Sequence, residues 1–250
     1  MNGGISLITI CWNAAETLPR TLASILAQET LPAEYLLVDG GSQDGTWELL
    51  AEWEPRFRAA GVDFRRERQV RQPGEAGIPG AWNQGLRQVR GEVVALLNAD
   101  DWYDPGVLTW VWEAFQQDPA LGALSLPVRM HPSVPRKEWV FRPSSFGQLP
   151  WRMPVPHPGT FFRRSTYEKV GLYDGRYRIA ADYDFIWRCR RAGISWRFLD
   201  PVGIHMQLGG LANSSRALAR RETYRIARRH GAFLDPRPAL AWLLRAMSGR

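Results

Sequence analysis

Cysteine is nearly absent from this chain. Its 250 residues hold two, Cys11 and Cys189, which suggest neither a disulfide framework nor a zinc site, so a reducing compartment is expected. The first apolar run, Ile5 to Ile10, is too short for the hydrophobic stretch of a secretory leader. No run approaches the length of a membrane span. A cytoplasmic location follows as an expectation. Lysine is equally scarce: Lys137 and Lys169 stand alone among 32 Lys and Arg residues. Internal repeats are lacking too. What is present is a composition 45% hydrophobic and 23% charged, which fits one globular domain, with or without a C-terminal extension, and is long enough to bury a full core. The net charge of +7 is carried by arginine, which suits phosphate and carboxylate recognition. Nucleic acid, a nucleotide diphosphate or an anionic membrane each fits that balance.

The stretch Glu92-Val93-Val94-Ala95-Leu96-Leu97-Asn98-Ala99-Asp100-Asp101 is an apolar run ending in an amide and two acids. A run of this kind reads as a buried strand of a parallel sheet. Its acids then lie at the carboxyl end, where open α/β sheets place ligands. Hard oxygen donors there suit Mg²⁺ or Mn²⁺. Asp104-Pro105 is expected to cap the following helix, which leaves Asp100 and Asp101 without a structural task.

Strands are expected at residues 5–10, 35–39 (again ending in an acid, Asp39) and 62–66, with a fourth that ends at Asp100. Helices are expected at 18–26, 46–58 and 78–89. This alternation predicts a parallel, doubly wound sheet over roughly the first 120 residues. From Pro127 to Pro158 prolines are dense and aromatics interspersed, which predicts short extended pieces and loops. That stretch is either a surface excursion or a wall over the sheet edge. Beyond it, a helix is expected over 181–192, a strand over 196–199, and an arginine-loaded helix over 214–230 carrying Arg216, Arg220, Arg221, Arg225, Arg228 and Arg229. A last helix bears Leu240, Leu243, Leu244 and Met247 at i, i+3, i+4, i+7, beside Trp242. A basic helix next to an amphipathic one suits an anionic membrane surface; docking on the domain or on a second subunit explains the same pattern.

The turn Asp39-Gly40-Gly41-Ser42-Gln43-Asp44-Gly45-Thr46 allows close approach to its backbone, but has neither dinucleotide-fingerprint nor P-loop glycine spacing. Ala180-Ala181-Asp182-Tyr183-Asp184 opens a helix. Asp182 is either its N-cap or a fixed base held by backbone donors. His205 follows a strand and precedes Gly209-Gly210, a structural position or a metal ligand.

Taken in order, Ser6-Leu7-Ile8-Thr9-Ile10-Cys11-Trp12-Asn13, Val38 to Thr46, Gly77-Ile78 with Trp82-Asn83-Gln84-Gly85, Leu97 to Asp101, His157 to Arg164 and Ala180 to Asp184 resemble the family 2 glycosyltransferases with the GT-A fold, in particular bacterial members that build lipopolysaccharide, capsule or exopolysaccharide. The resemblance covers about residues 5–212. It implies an α/β fold with a mostly parallel central sheet flanked by helices, a GT-A domain over 1–212 and a basic helical extension over 213–250. It implies that Thr9, Asn13, Asp39, Ser42 and Asn83 bind the nucleotide donor, together with Asn98 and with Asp101 beside the donor sugar. Asp100 would hold the divalent Mg²⁺ or Mn²⁺, with His205 as a further contact, and Asp182 would be the general base. Asn98 replaces the first acid of the family's Asp-x-Asp motif, Pro79-Gly80 and Gln84 stand where near relatives often have Tyr-Asp and Lys, and Ala181 replaces a common Glu.

The implied reaction is inverting transfer of a sugar from a nucleotide-diphosphate donor to the hydroxyl of a saccharide or lipid-linked saccharide acceptor. The implied place is the cytoplasm, with attachment at the inner face of the cell membrane under the membrane reading. No nucleic acid partner is expected. Two other classes fit part of the pattern: a sugar nucleotidyltransferase, which would want a Gly-rich basic loop where Trp12 to Glu16 stand, and a basic nucleic-acid-binding protein.

Overall fold

The computed structural model describes residues 3–70, 77–133, 136–209 and 216–232. Strand β1 (Ile5–Cys11) leads to helix α1 (Leu18–Leu26), β2 (Glu34–Asp39) to α2 (Thr46–Ala59), and β3 (Asp63–Arg68) to α3 (Gly77–Leu86) and β4 (Val93–Asn98). The expected alternation is therefore present, with element ends moved by a few residues. There follow β5 (Trp102–Tyr103), α4 (Val107–Gln117), β6 (Ala123–Ser125), β7 (Val128–His131), β8 (Trp139–Phe141), β9 (Thr160–Arg163), α5 (Arg164–Val170), α6 (Ala181–Arg191), β10 (Trp196–Phe198), β11 (Ile204–Gln207) and α7 (Arg216–Arg229).

Seven strands form one sheet in the order β10-β6-β9-β4-β1-β2-β3. Its pairs are parallel except the two made by β9, which is antiparallel to β4 and to β6. A smaller sheet, β5-β11-β7-β8, takes up residues from the proline-rich stretch, where short extended pieces were expected. The small sheet as a unit, and helix α5, had no counterpart in the sequence reading.

The strands β1, β2 and β4 are buried on both faces. Leu7, Tyr35, Leu37, Val93, Ala95 and Leu97 enter one core with α1, α2 and α4 residues such as Leu22, Phe57 and Val111. Ile8, Leu36, Val38, Val94 and Leu96 enter the other with Trp82, Phe185 and Ile226. Alternation along each strand thus serves two cores, and the sheet is the wall between them. Helix α3 lies close on β1: a Cβ on Gly85 would sit 2.8 Å from Ile8 Cγ2.

Two apolar faces leave register weakly specified by pattern alone, because a one-residue slip exchanges one apolar set for another. Polar pins supply what the pattern lacks. Glu34 is buried at the start of β2, where its Oε1 accepts the Ser6 hydroxyl at 2.6 Å and the Gly91 N–H at 2.9 Å, as well as the Arg90 N–H. Its other oxygen meets Arg65. One side chain therefore ties β1, β2, β3 and the approach to β4. Further along, Thr9 Oγ1 and the Tyr35 hydroxyl bond at 2.9 Å.

The edge strand β3 carries Arg65, Arg66 and Arg68, paired with Glu34, Glu54 and Asp39. Charge on an exposed edge also discourages pairing with other chains. One expectation fails. Asp104-Pro105 does not cap α4: the N-cap is Gly106, at φ +89°, with no side-chain cap bond. The Asp104 carboxylate turns instead to His205, and that histidine lies inside β11 rather than after a strand.

Helix α7 docks through Glu222, Ile226 and Ala227, while Arg220, Arg221, Arg225, Arg228 and Arg229 are exposed. The expected stripe of Leu240, Leu243, Leu244 and Met247 lies outside the described residues, as does the boundary at 212/213. No helix among the described residues is long and apolar enough to cross a membrane.

Hydrogen bonds hold the Glu34 carboxyl below its ordinary pKa despite its burial. Its stabilisation is therefore complete above the usual carboxylate range and disappears as pH falls through the depressed value. Glu34→Gln should destabilise the fold by about 1–3 kcal/mol at pH 7 in urea titrations, with the difference from wild type shrinking below about pH 4.

Candidate functional site

The sheet order reverses direction around β1, with β2 on one side and β4 on the other. Register makes the carboxyl ends level: Cys11 pairs with Asp39, and Ile10 pairs with both Val38 and Asn98. This is the crevice in which open α/β sheets bind ligands.

At the end of β2, Asp39 is fully buried. It accepts the N–H groups of Gly41 and Ser42, the Ser42 hydroxyl and the Arg68 guanidinium. Gly41 sits at φ +94°, a conformation open to glycine at little cost. Arg68 also stacks over Trp47 at 4.3 Å. A ligand that reaches Asp39 must displace Arg68, whose side chain is 44% exposed. Asn13, exposed and at φ +48°, latches β1 to the same turn: its N–H donates to Ser42 Oγ at 2.8 Å, and its Oδ1 accepts the Gln43 N–H at 3.0 Å. Trp12 beside it is 63% exposed. Thr9 is fully buried and bonded to Tyr35, so it supports this edge from within and offers it no surface.

At the end of β4 the two acids separate. Asp101 has no exposed surface. Its Oδ1 accepts the Gln207 N–H at 3.1 Å, its Oδ2 accepts the Asn98 amide at 3.2 Å, and its carbonyl accepts the Thr21 hydroxyl at 2.7 Å. Burial, then the charge of Asp100, pushes its carboxyl well up. Asp101 is thus the rivet between β4, α1 and β11, and lies behind the edge rather than on it. Asp100 keeps partial exposure. Burial raises its carboxyl as well, against the pull of Arg20.

Arg20 was not foreseen. Its Nη2 donates to the Asp100 carbonyl at 3.3 Å, and its guanidinium lies 3.5 Å over the Trp102 ring. Trp102 in turn stacks on His205 at 4.8 Å and 8°. His205 Nδ1 and His131 Nε2 are 2.9 Å apart, His131 Nδ1 faces Glu138 at 2.7 Å, and His205 Nε2 faces Asp104 at 3.1 Å. Both ring nitrogens of His205 thus face protein groups. Among the described residues no three His, Cys, Asp or Glu side chains converge as a metal cage. One partly exposed carboxylate, Asp100, is nonetheless a donor set that fits Mg²⁺ or Mn²⁺, which take one or two carboxylates and complete their shell from substrate phosphates and water.

Asn83 is fully buried in α3. Its amide donates to the Tyr173 carbonyl at 2.8 Å and accepts the Tyr173 N–H at 2.9 Å, so it pins the 172–174 segment and has no face toward a donor. Beyond that pin, Trp82 and His157 stack, and the Tyr173 ring lies tilted against both. Burial lowers the His157 pKa to about 4, so this imidazole is neutral at pH 7.

Asp182 is the second residue of α6, whose N-cap is Ala180. It is partly exposed yet closely ringed by protein, and burial raises its carboxyl to about 6. The Tyr183 N–H donates to its Oδ1 at 2.7 Å. A carboxylate fixed by the backbone and titrating near neutrality is equipped to accept a proton. Asp184, one position beyond Tyr183, turns instead to Arg188 at 2.7 Å and to His230 at 3.3 Å.

Residues 6–171 match the family model described as Glycosyl transferase family 2; Asp182 lies past the end of that match. The chain is 28% identical over 212 residues to a PGL/p-HBAD biosynthesis glycosyltransferase of Mycobacterium bovis, covering 84% of this chain and 79% of that protein. It is 32% identical over 122 residues to the poly-beta-1,6-N-acetyl-D-glucosamine synthase of Staphylococcus epidermidis, covering 49% of this chain but 28% of that protein. S. aureus TarS 1-349 in complex with UDP-GlcNAc superposes with a TM-score of 0.69 at 17% identity, over 92% of this chain and 65% of that one. The mannosyltransferase PcManGT of Pyrobaculum calidifontis, in complex with GDP-Man and Mn²⁺, gives 0.63 at 22%, over 88% and 62%. The chain therefore spans less than two thirds of the length of several proteins it matches.

Removing the Asn83 side chain strands the Tyr173 N–H and carbonyl. Asn83→Ala should cost about 1–3 kcal/mol for each stranded group in chemical denaturation, and should leave the nucleotide-sugar Kd of the folded fraction unchanged.

Proposed function

The chain belongs to glycosyl transferase family 2 and has the GT-A fold of its structural neighbours, and from that premise we propose that it transfers a sugar from a nucleotide-diphosphate donor to an acceptor hydroxyl with inversion at the anomeric carbon, in the synthesis of cell-surface polysaccharide or lipopolysaccharide. The observation that carries this reading is the register at the reversal of strand order, where Cys11 pairs with Asp39 and Ile10 with Asn98, with Asp100 two residues beyond Asn98. Neighbours of this fold bind UDP-GlcNAc in one case and GDP-Man with Mn²⁺ in another, which supports a sugar nucleotide in this crevice. The nucleotide end lies along Asn13, Ser42 and Asp39, with Arg68 moving aside. The diphosphate lies toward Asp100 and Arg20. Asp100 would hold Mg²⁺ or Mn²⁺, whose chemistry when bound is to neutralise charge on a diphosphate.

Asp182 takes the proton of the acceptor hydroxyl as that oxygen attacks the anomeric carbon and the bond to the diphosphate oxygen breaks. Its carboxyl near 6 is ionised at pH 7 and basic enough to accept that proton. Neutral His157 and buried Tyr173 add no competing charge. The exposed arginines of α7 fit an anionic membrane surface where a lipid-linked acceptor would lie.

Asp182→Asn should lower kcat by about 10²–10⁴ with donor affinity retained. In wild type kcat/KM should decline below about pH 6, following the carboxyl of the free enzyme. Asp100→Ala should abolish the extra thermal stabilisation that Mn²⁺ adds to a screen of UDP-, GDP- and dTDP-sugars. Wild-type turnover by folded Asp182→Asn would remove the base assignment, and undiminished Mn²⁺ dependence in Asp100→Ala would remove the metal assignment.

Membrane attachment makes a separate demand. The full chain should sediment with anionic vesicles at low salt and be released as ionic strength rises. Absence of binding at low salt would exclude the arginine helix from that role.

A further inference from the structure

Helix α6 lacks a side-chain cap of its own, because its N-cap is Ala180. Its start is nevertheless held by a side chain from another helix. The buried carboxylate of Glu222 reaches across from α7. One oxygen accepts the Arg178 N–H and the other those of Ile179 and Ala180, each at 2.9 Å. Glu222 is 5% exposed. Ile226 and Ala227, four and five residues on, are buried on the same face, so α7 is seated where the carboxylate must reach these donors. Arg229 approaches Asp174 at 3.4 Å and His230 approaches Asp184 at 3.3 Å, which brackets the segment from 174 to 184.

We propose that Glu222 is a positioning residue for Asp182: by gathering three successive backbone N–H groups it fixes where α6 begins, and with it the site and direction of the Asp182 carboxylate. This rests on the reading of Asp182 as the base. A buried charge held by three donors is a costly arrangement for packing alone, since apolar residues seat a helix without desolvating a carboxylate. Here the charge also serves the chemistry. Glu222 acts on Asp182 through its negative charge and adds to the burial that holds that carboxyl up. The other groups facing Asp182 do not replace it. Tyr173, on the segment ahead of α6, is kept protonated by burial. The N–H of Tyr183 on α6 itself pulls the other way, and Asp184 is paired with Arg188 and His230. The family model ends at residue 171, so neither partner lies within its match.

The test uses the full chain and whichever of UDP-GlcNAc or GDP-mannose raises its Tm. Nucleoside diphosphate release is followed with water and a simple alkyl glycoside as acceptors. Glu222→Gln removes the charge and sets an amide N–H₂ against the backbone donors. It should lower kcat by about 10- to 100-fold, the scale of a small misplacement of a reacting group, leave donor KM within about twofold, and move the acidic limb of kcat/KM to lower pH. Glu222→Asp keeps the charge but is too short to reach all three donors. It should lose kcat with the limb closer to wild type, which a merely structural role would not separate. A folded Glu222→Gln or Glu222→Asp protein with wild-type kcat and limb overturns the inference. So does a kcat loss in both variants with an unmoved limb in Glu222→Gln. If the Gln variant does not fold, the Asp variant decides alone through its kcat. Asp182→Asn is run beside them. If it is inactive while the Glu222 variants behave as wild type, the positioning role alone fails; if it turns over normally, the base reading fails and takes the inference with it.

Discussion

The register of β1 between β2 and β4 is the constraint on which the rest depends. These strands are apolar on both faces, so hydrophobic burial drives them together without deciding how far each slides past the next. Glu34 decides it. One buried carboxylate satisfies Ser6 on β1, the N–H groups of Arg90 and Gly91 on the way into β4, and Arg65 on β3. The knot lies at the amino ends of the strands, yet its effect is felt at the carboxyl ends, where Cys11 meets Asp39 and Ile10 meets Asn98. A slip at the bottom would move Asp39 and Asp100 out of line by a strand step of about 3.3 Å.

The acids at the carboxyl edge divide by what they already hold. Asp101 and Asp39 are engaged with protein donors and give shape. Asp100 and Asp182 retain partial exposure and carboxyls raised by burial, which is why the proposed metal and proton roles fall to them. The same division runs through the amides and hydroxyls. Asn83 and Thr9 are internal struts, while Asn13 and Ser42 shape a turn that remains at the surface. Adjacent residues can therefore fall on opposite sides of the line, as Asp100 and Asp101 do. Both lie in the turn that follows β4, and Asp101 alone accepts the Gln207 N–H of β11.

Arginine abundance takes on a different meaning once the fold is known. Arg65, Arg66, Arg68, Arg163 and Arg188 neutralise acids inside the molecule, and Arg20 packs against Trp102 beside the β4 turn. Helix α7 carries five exposed arginines, Arg220, Arg221, Arg225, Arg228 and Arg229, the last of which approaches Asp174. That helix is also stitched to residues 178–180 through Glu222, so the part of the chain that looks most like an appendage is bound to the start of α6.

The sequence by itself determined the alternation of strand and helix in the first half, the acids at the ends of β2 and β4, the helix that carries Asp182, and family membership. These are local signals: periodicity, a run and its terminus, a short motif in fixed order. Tertiary structure alone decided which acid is a rivet and which is available, why Asp104 turns to His205 instead of capping α4, where the short strands of the second sheet pair, and that Glu222 anchors the start of α6. The reason is that satisfaction of a polar group depends on its partner. The partner of Asp101 is the N–H of Gln207, 106 residues on, and that of Ala180 is Glu222, 42 residues on. Periodicity says which face of an element is buried; it carries no information about which donor will meet which acceptor when distant elements close over one another.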